Sequence, residues 1–146
     1  MDIRHLTQTY AVSPQIAPED VAVLKAAGIA TVICNRPDGE VPPDLTSDRI
    51  RKMVEEAGMR FVLNQFAGNE LSMDHVALQG EAIAESSGPV LAYCASGNRS
   101  TIVWALSEAG RRAPDELISI AEQHGYTQIV KFRDQLEELA RQRRDG

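Results

Sequence analysis

An α/β domain with a parallel-stranded central sheet flanked by helices is the fold class that this chain predicts, and three observations carry it. Short apolar runs, IATVIC (29–34), MRFVLNQF (59–66) and PVLAYC (89–94), alternate with stretches of helical periodicity. The runs are apolar nearly throughout, as suits strands covered on both faces. The balance of 43% hydrophobic and 25% charged residues over 146 positions suits one globular domain, residues 1–146, with a real core.

Each element follows from local chemistry. Ile3, Leu6, Tyr10 and Val12 suggest a short strand or hairpin at the start. Pro18-Glu19-Asp20 makes a good first helical turn, with Val21, Leu24 and Ala27 inward and Gly28 as the stop. Residues 29–34 read as a buried strand, and NRPDGEVPPD (35–44) as turns whose prolines exclude regular structure. Thr46 or Ser47 then caps a helix carrying Ile50, Met53, Val54 and Ala57, closed by Gly58. After the 59–66 strand, Ser72 caps a helix with Val76, Ile83 and Ala84, interrupted at Gly80 and closed by Gly88. The 89–94 strand leads to a helix over 100–109. Two more helices follow, one after Pro114 with Leu117, Ile120 and Ala121, one with Ile129, Phe132, Leu136 and Leu139. The closing RQRRDG reads as a solvated helix end whose basic turn suits the dipole.

Charge and composition narrow the function. A net charge of −6, from 15 basic and 21 acidic residues, gives no broad attraction to nucleic acid. The start MDIRHLTQTY is no signal peptide, and no apolar run approaches a membrane span, so no membrane association is expected. Two cysteines make no disulfide framework, and together these features favour the cytoplasm. His5, His75 and His124 lie far apart without metal-ligand spacing to either cysteine, so they read as surface or capping residues. No metal or cofactor is expected.

The chemistry concentrates in Cys94-Ala95-Ser96-Gly97-Asn98-Arg99-Ser100. A cysteine between a strand and a helix faces unpaired loop amides and the positive helix end, both of which favour the reactive thiolate. Gly97 permits a positive φ, so that Ala95, Ser96, Gly97 and Asn98 can form an anion-binding nest. Arg99 can grip an oxyanion through two parallel hydrogen bonds. Ser100 can cap the helix or serve the sulfur or the leaving group. A nucleophile in an anion cradle suits attack on a tetrahedral oxyanion through a covalent cysteinyl intermediate. The bland alternative is a buried strand-end cysteine, a turn glycine and a capping serine.

The stretch GPVLAYCASGNRST (88–101) resembles the signature of the phosphatase-like domain of beta-lactamase hydrolase-like proteins, a bacterial branch of the cysteine-phosphatase superfamily. TVICNRPDGE (31–40) resembles the family's other recurring stretch, and Pro18-Glu19-Asp20 and HGY (124–126) fit its layout. The resemblance implies a dual-specificity-phosphatase-like fold, with Cys94 as nucleophile and Arg99 as the phosphate-binding arginine. Three features depart from cysteine phosphatases generally. The four residues between Cys94 and Arg99 are one fewer than usual and nearer the loop of rhodanese-type sulfurtransferases. Tyr93 stands where a histidine usually precedes the cysteine. No acid loop of the usual kind is evident.

For a general acid, Glu70 is the better candidate and Asp74 reads as a first-turn dipole residue. Asp38 fits its Pro-Asp-Gly turn structurally. Cys34 reads as a small core residue, or as a partner resolving an oxidised or persulfidated Cys94. Arg36 reads as pocket rim or as the partner of Asp38 or Glu40. The leading expectation is a phosphatase-like hydrolase acting on a phosphomonoester, a phosphoprotein among the options. A sulfurtransferase using a Cys94 persulfide is the alternative, and an oxyanion-recognition domain without catalysis the third. All three take a phosphate- or sulfur-containing anionic partner.

Overall fold

The apolar runs lie side by side. In the computed structural model, which describes residues 1–145, strands β1 (Arg4–His5), β2 (Tyr10–Ser13), β3 (Thr31–Cys34), β4 (Arg60–Leu63) and β5 (Val90–Tyr93) form one sheet of order β1-β2-β5-β3-β4. β2, β5, β3 and β4 run parallel; β1 alone is antiparallel, because only a short loop joins it to β2. The sheet is therefore mixed at one edge. In register, Tyr93 stands beside Ser13 on one side and Cys34 on the other, which brings these strand ends to one edge.

Pleating sends alternate residues to two cores. Ala11, Val32, Cys34, Leu91 and Tyr93 pack under α1 (Asp20–Ala26) and α2 (Ser47–Glu56) with Leu24, Ile50 and Val54. Tyr10, Val12, Ile33, Val90 and Ala92 pack on the other face with residues of α3 (Met73–Glu85), α4 (Asn98–Glu108), α5 (Pro114–Gln123) and α6 (Arg133–Asp145). α4 is buried all round from Ser100 to Ser107, so its sequence shows no amphipathic stripe. Tyr10 stacks on Trp104 with ring centroids 5.7 Å apart.

Several expectations need correction. α4 begins at Asn98, two residues before the expected start, so Arg99 lies in its first turn rather than in the loop. Gly80 does not interrupt α3; a Cβ there would stand 3.3 Å from Ser107 Cβ, so glycine lets α3 and α4 approach closely. Ala27 is exposed, and the last expected helix divides into a 3₁₀ turn (Gln128–Phe132) and α6. The proline-rich 35–45 segment holds two short 3₁₀ turns, Asp38–Glu40 and Pro43–Leu45. Arg143 is not merely solvated: Nη1 donates to the carbonyls of Leu106, Ser107 and Ala109, closing the end of α4. Gly146 of the expected solvated end lies outside the described residues.

Candidate active site

Cys94 follows β5 directly and extends the ladder through its N–H to the Ser13 carbonyl, 3.4 Å. It is fully buried. Gly97, at φ +98°, caps α4, and its N–H donates to Cys94 Sγ at 3.1 Å. A positive φ is what turns this amide inward, and glycine adopts it without a Cβ clash. The first helical bond of α4 runs from Thr101 N–H to the Gly97 carbonyl, so the amides of Asn98, Arg99 and Ser100 precede any intrahelical acceptor. Asn98 N–H goes to Ser96 Oγ, 3.3 Å. Ala95 and Ser96 are exposed, and Asn98 Oδ1 is buried without a partner.

Arg99 does come to this centre, with a companion the sequence reading missed. Nη1 and Nη2 fork onto the Glu40 carboxylate at 3.0 and 2.7 Å, and Nη1 also donates to the Phe66 carbonyl at 3.1 Å. The Glu40 hydrogen bonds, then the Cys94 charge, raise the basicity of Arg99. Conversely, Arg99 first and Arg36 second hold the Glu40 carboxyl below its ordinary range. Arg36 is thus the partner of Glu40, at 3.3 Å, rather than of Asp38. Asp38 serves α2: its carboxylate accepts the Ser47 N–H at 2.8 Å and the Ser47 hydroxyl at 3.0 Å. This replaces the expected cap by Thr46 or Ser47, whose side chains are not used on their own helix.

Two expected site residues make no hydrogen bond to the sulfur among the described residues. The hydroxyl proton of Ser100, expected on a helix cap, the sulfur or the leaving group, goes to Asn35 Oδ1 at 2.8 Å in this structure. Glu70 is exposed in the 64–72 loop, and among the described residues its side chain makes no hydrogen bond or ion pair. That loop approaches the site through Phe66, whose carbonyl holds Arg99. His75 closes the start of α3, accepting the Ser72 N–H at Nδ1, 3.1 Å.

Beneath the loop lies a buried polar network that the apolar patterns hid. Gln79 Oε1 accepts from Asn35 and Asn64, and its Nε2 donates to Tyr10 Oη, which donates to the Ser100 carbonyl. The network ties the ends of β3 and β4 and helix α3 to the first turn of α4. One signal was available: Gln79 stands on the inward stripe with Val76 and Ile83. A polar residue there needs partners.

Cys34 sits on the neighbouring strand but faces the other core, beside Tyr93. Burial pushes its thiol above the ordinary range, with Sγ–H donating to the Arg36 carbonyl at 3.3 Å. Cys94 faces the opposite side, near enough to Tyr10 and Tyr126 for its charge to raise both phenols beyond the larger effect of burial.

With this geometry in hand, the family model described as the phosphatase-like domain of beta-lactamase hydrolase-like proteins matches residues 2–111. The chain belongs to that family. A beta-lactamase hydrolase-like protein of Xylella fastidiosa (strain Temecula1) is 29% identical over 128 residues, which is 86% of this chain and 30% of the relative. The chain thus spans about a third or less of the length of the curated relatives it matches. The crystal structure of a Neisseria meningitidis Z2491 protein assigned as a phosphatase aligns at a TM-score of 0.80 with 30% identity, covering 95% of this chain and 99% of that one. PTPMT1 shares the fold at a TM-score of 0.76 and 13% identity, over 99% and 100% of the two chains. This member of the phosphatase-like domain family therefore has a dual-specificity-phosphatase-like fold. Among the described residues no helix is long and apolar enough to cross a membrane.

Proposed function

We propose that the protein is a cysteine-dependent phosphomonoesterase in which Cys94 is the nucleophile and residues 94–100 bind the phosphoryl group. The observation that carries the reading is the Gly97 N–H aimed at Cys94 Sγ, 3.1 Å away, at the start of a helix whose first turn bears Arg99. An amide on the sulfur and a positive helix end both favour a thiolate. In the reaction the thiolate attacks phosphorus, an S–P bond forms, and the P–O bond to the leaving group breaks. The leaving oxygen takes a proton from Glu70 or from water, and a second water then cleaves the S–P bond to release phosphate. Glu40 is a poor acid, since Arg99 keeps it ionised. The amides of Arg99 and Ser100, which precede any intrahelical acceptor, and the Arg99 guanidinium stabilise the transferring oxygens. The four-residue spacing makes a small cradle, so slow turnover is expected.

The test pairs two assays on the protein and its Cys94→Ser variant. An aryl phosphate should give slow phosphate release that falls by about 1000-fold or more in the variant. Glu70→Gln should matter little with this activated leaving group and more with an alkyl phosphate. Tungstate at about 100 times its Kd should raise the melting temperature by about 5–10 °C, and Arg99→Ala should remove that shift. Thiocyanate formation from thiosulfate and cyanide that outruns phosphate release would overturn the reading in favour of sulfur transfer. Neither activity, with the tungstate shift intact, would leave an oxyanion-recognition domain.

A further inference from the structure

We propose that Tyr126 is a positioning residue for Cys94, acting through the Ser96–Gly97 peptide; this rests on the assignment of Cys94 as nucleophile. The two ends of one peptide group carry the argument. Tyr126 Oη donates to the Ser96 carbonyl at 3.1 Å, and the Gly97 N–H of the same peptide donates to Cys94 Sγ at 3.1 Å. A trans peptide is planar, with its C=O and N–H pointing in opposite directions. Holding the carbonyl outward on Tyr126 therefore holds the amide inward on the sulfur. Donation to the carbonyl also polarises the N–H and strengthens its bond to a thiolate.

The phenol is itself held in place. A Cβ on Gly97 would lie 2.2 Å from Tyr126 Oη, so the hydroxyl packs directly on the glycine. The Arg4 guanidinium covers the Tyr126 ring at 5.0 Å and donates to the His124 carbonyl at 2.6 Å. Gly125 makes the turn between them at φ +89°. Each residue of the HGY stretch thus has a part in the brace, and all three lie beyond residue 111, where the family match ends. Tyr126 is 5% exposed, and burial pushes its phenol up, so it remains a donor at neutral pH. The other charged or titratable groups about Cys94 are Arg99 with its partner Glu40, Tyr10, and Arg4 with Asp2 behind Tyr126. None of them touches the Ser96 carbonyl.

The experiment is Tyr126→Phe in a Cys34→Ser background, which leaves one thiol and keeps the ring. The pH of half-maximal alkylation of Cys94 by iodoacetamide should rise by about 0.5–1 unit. The Gly97 amide proton should move upfield in NMR as its bond to sulfur weakens. On an aryl phosphate kcat should fall by about 10-fold, with KM changed by less than about twofold. An unmoved alkylation profile and an unmoved Gly97 resonance would overturn the inference. If the variant does not melt cooperatively, Arg4→Gln must give the same upward movement, smaller in size, or the inference fails. Alkylation and NMR need no turnover. A moved profile in a protein that releases no phosphate would keep this inference and remove the proposed function; phosphate release with an unmoved profile would do the reverse.

Discussion

Adjacent parallel strands β3 and β5 each lead, at or just past their ends, to a cysteine with a glycine and an arginine following it, yet the two sulfurs meet opposite backbone groups. After Cys94 come small residues and a glycine at φ +98°, and the sulfur receives an N–H. After Cys34 come Asn35, Arg36 and Pro37, and the sulfur instead gives its proton to a carbonyl. Proline has no amide to offer, and Asp38 adds negative charge near the thiol. One loop turns an N–H toward its sulfur and the other turns a carbonyl.

Selective alkylation is the strongest way to break this comparison. At neutral pH iodoacetamide should label Cys94 faster than Cys34 by about tenfold or more, measured by mass spectrometry of the folded protein. Equal rates would mean the two strand ends are chemically alike.

A smaller effect sharpens the role of the acidic residue shared between the loops. Glu40, from the β3 side, occupies the fork of Arg99, from the β5 side. Glu40→Gln removes a competing negative charge, so sulfate affinity should rise by about 3- to 10-fold at neutral pH and low salt. Arg99 lowers the Glu40 pKa, so this ion pair is complete above the ordinary carboxylate range and is lost as the pH falls through the lowered value. Wild type should therefore converge on the variant in acid, where sulfate is still a dianion. Affinity that falls in Glu40→Gln would make Glu40 a support for Arg99 rather than a competitor.

The smallest effect on chemistry should come from Asp38. Asp38→Ala removes the cap of α2 and should cost about 1–2 kcal/mol, lowering the melting temperature by about 3–6 °C. Aryl phosphate turnover should stay within about twofold. A large loss of turnover without loss of stability would return Asp38 to the catalytic candidates.

How much was legible depended on the range of the interaction. The three main strands, the helices and the Cys94 loop could be read because apolar periodicity, caps and breakers act within a few residues. Asn35, Asn64 and Gln79 could not be assembled, since they meet from β3, β4 and α3 only after the sheet forms. Glu40 was read as a loop partner for Arg36; its bond to Arg99 spans 59 positions. The early start of α4 was hidden because Asn98 and Arg99 read as loop residues until Gly97 is seen to cap the helix.

By itself, then, the sequence determined the α/β class, the cysteine loop with its glycine hinge, and the arginine that follows it, because these rest on local backbone preferences and residue chemistry. The tertiary structure alone decided which sulfur meets an amide, what occupies the arginine and what braces the loop. Pleating sends Cys34 and Cys94 to opposite faces, and Glu40, Arg4 and Tyr126 arrive from distant segments. Hydrogen bonds and ion pairs act over a few ångströms, so residues far apart in the chain acquire a role only where folding brings their atoms together.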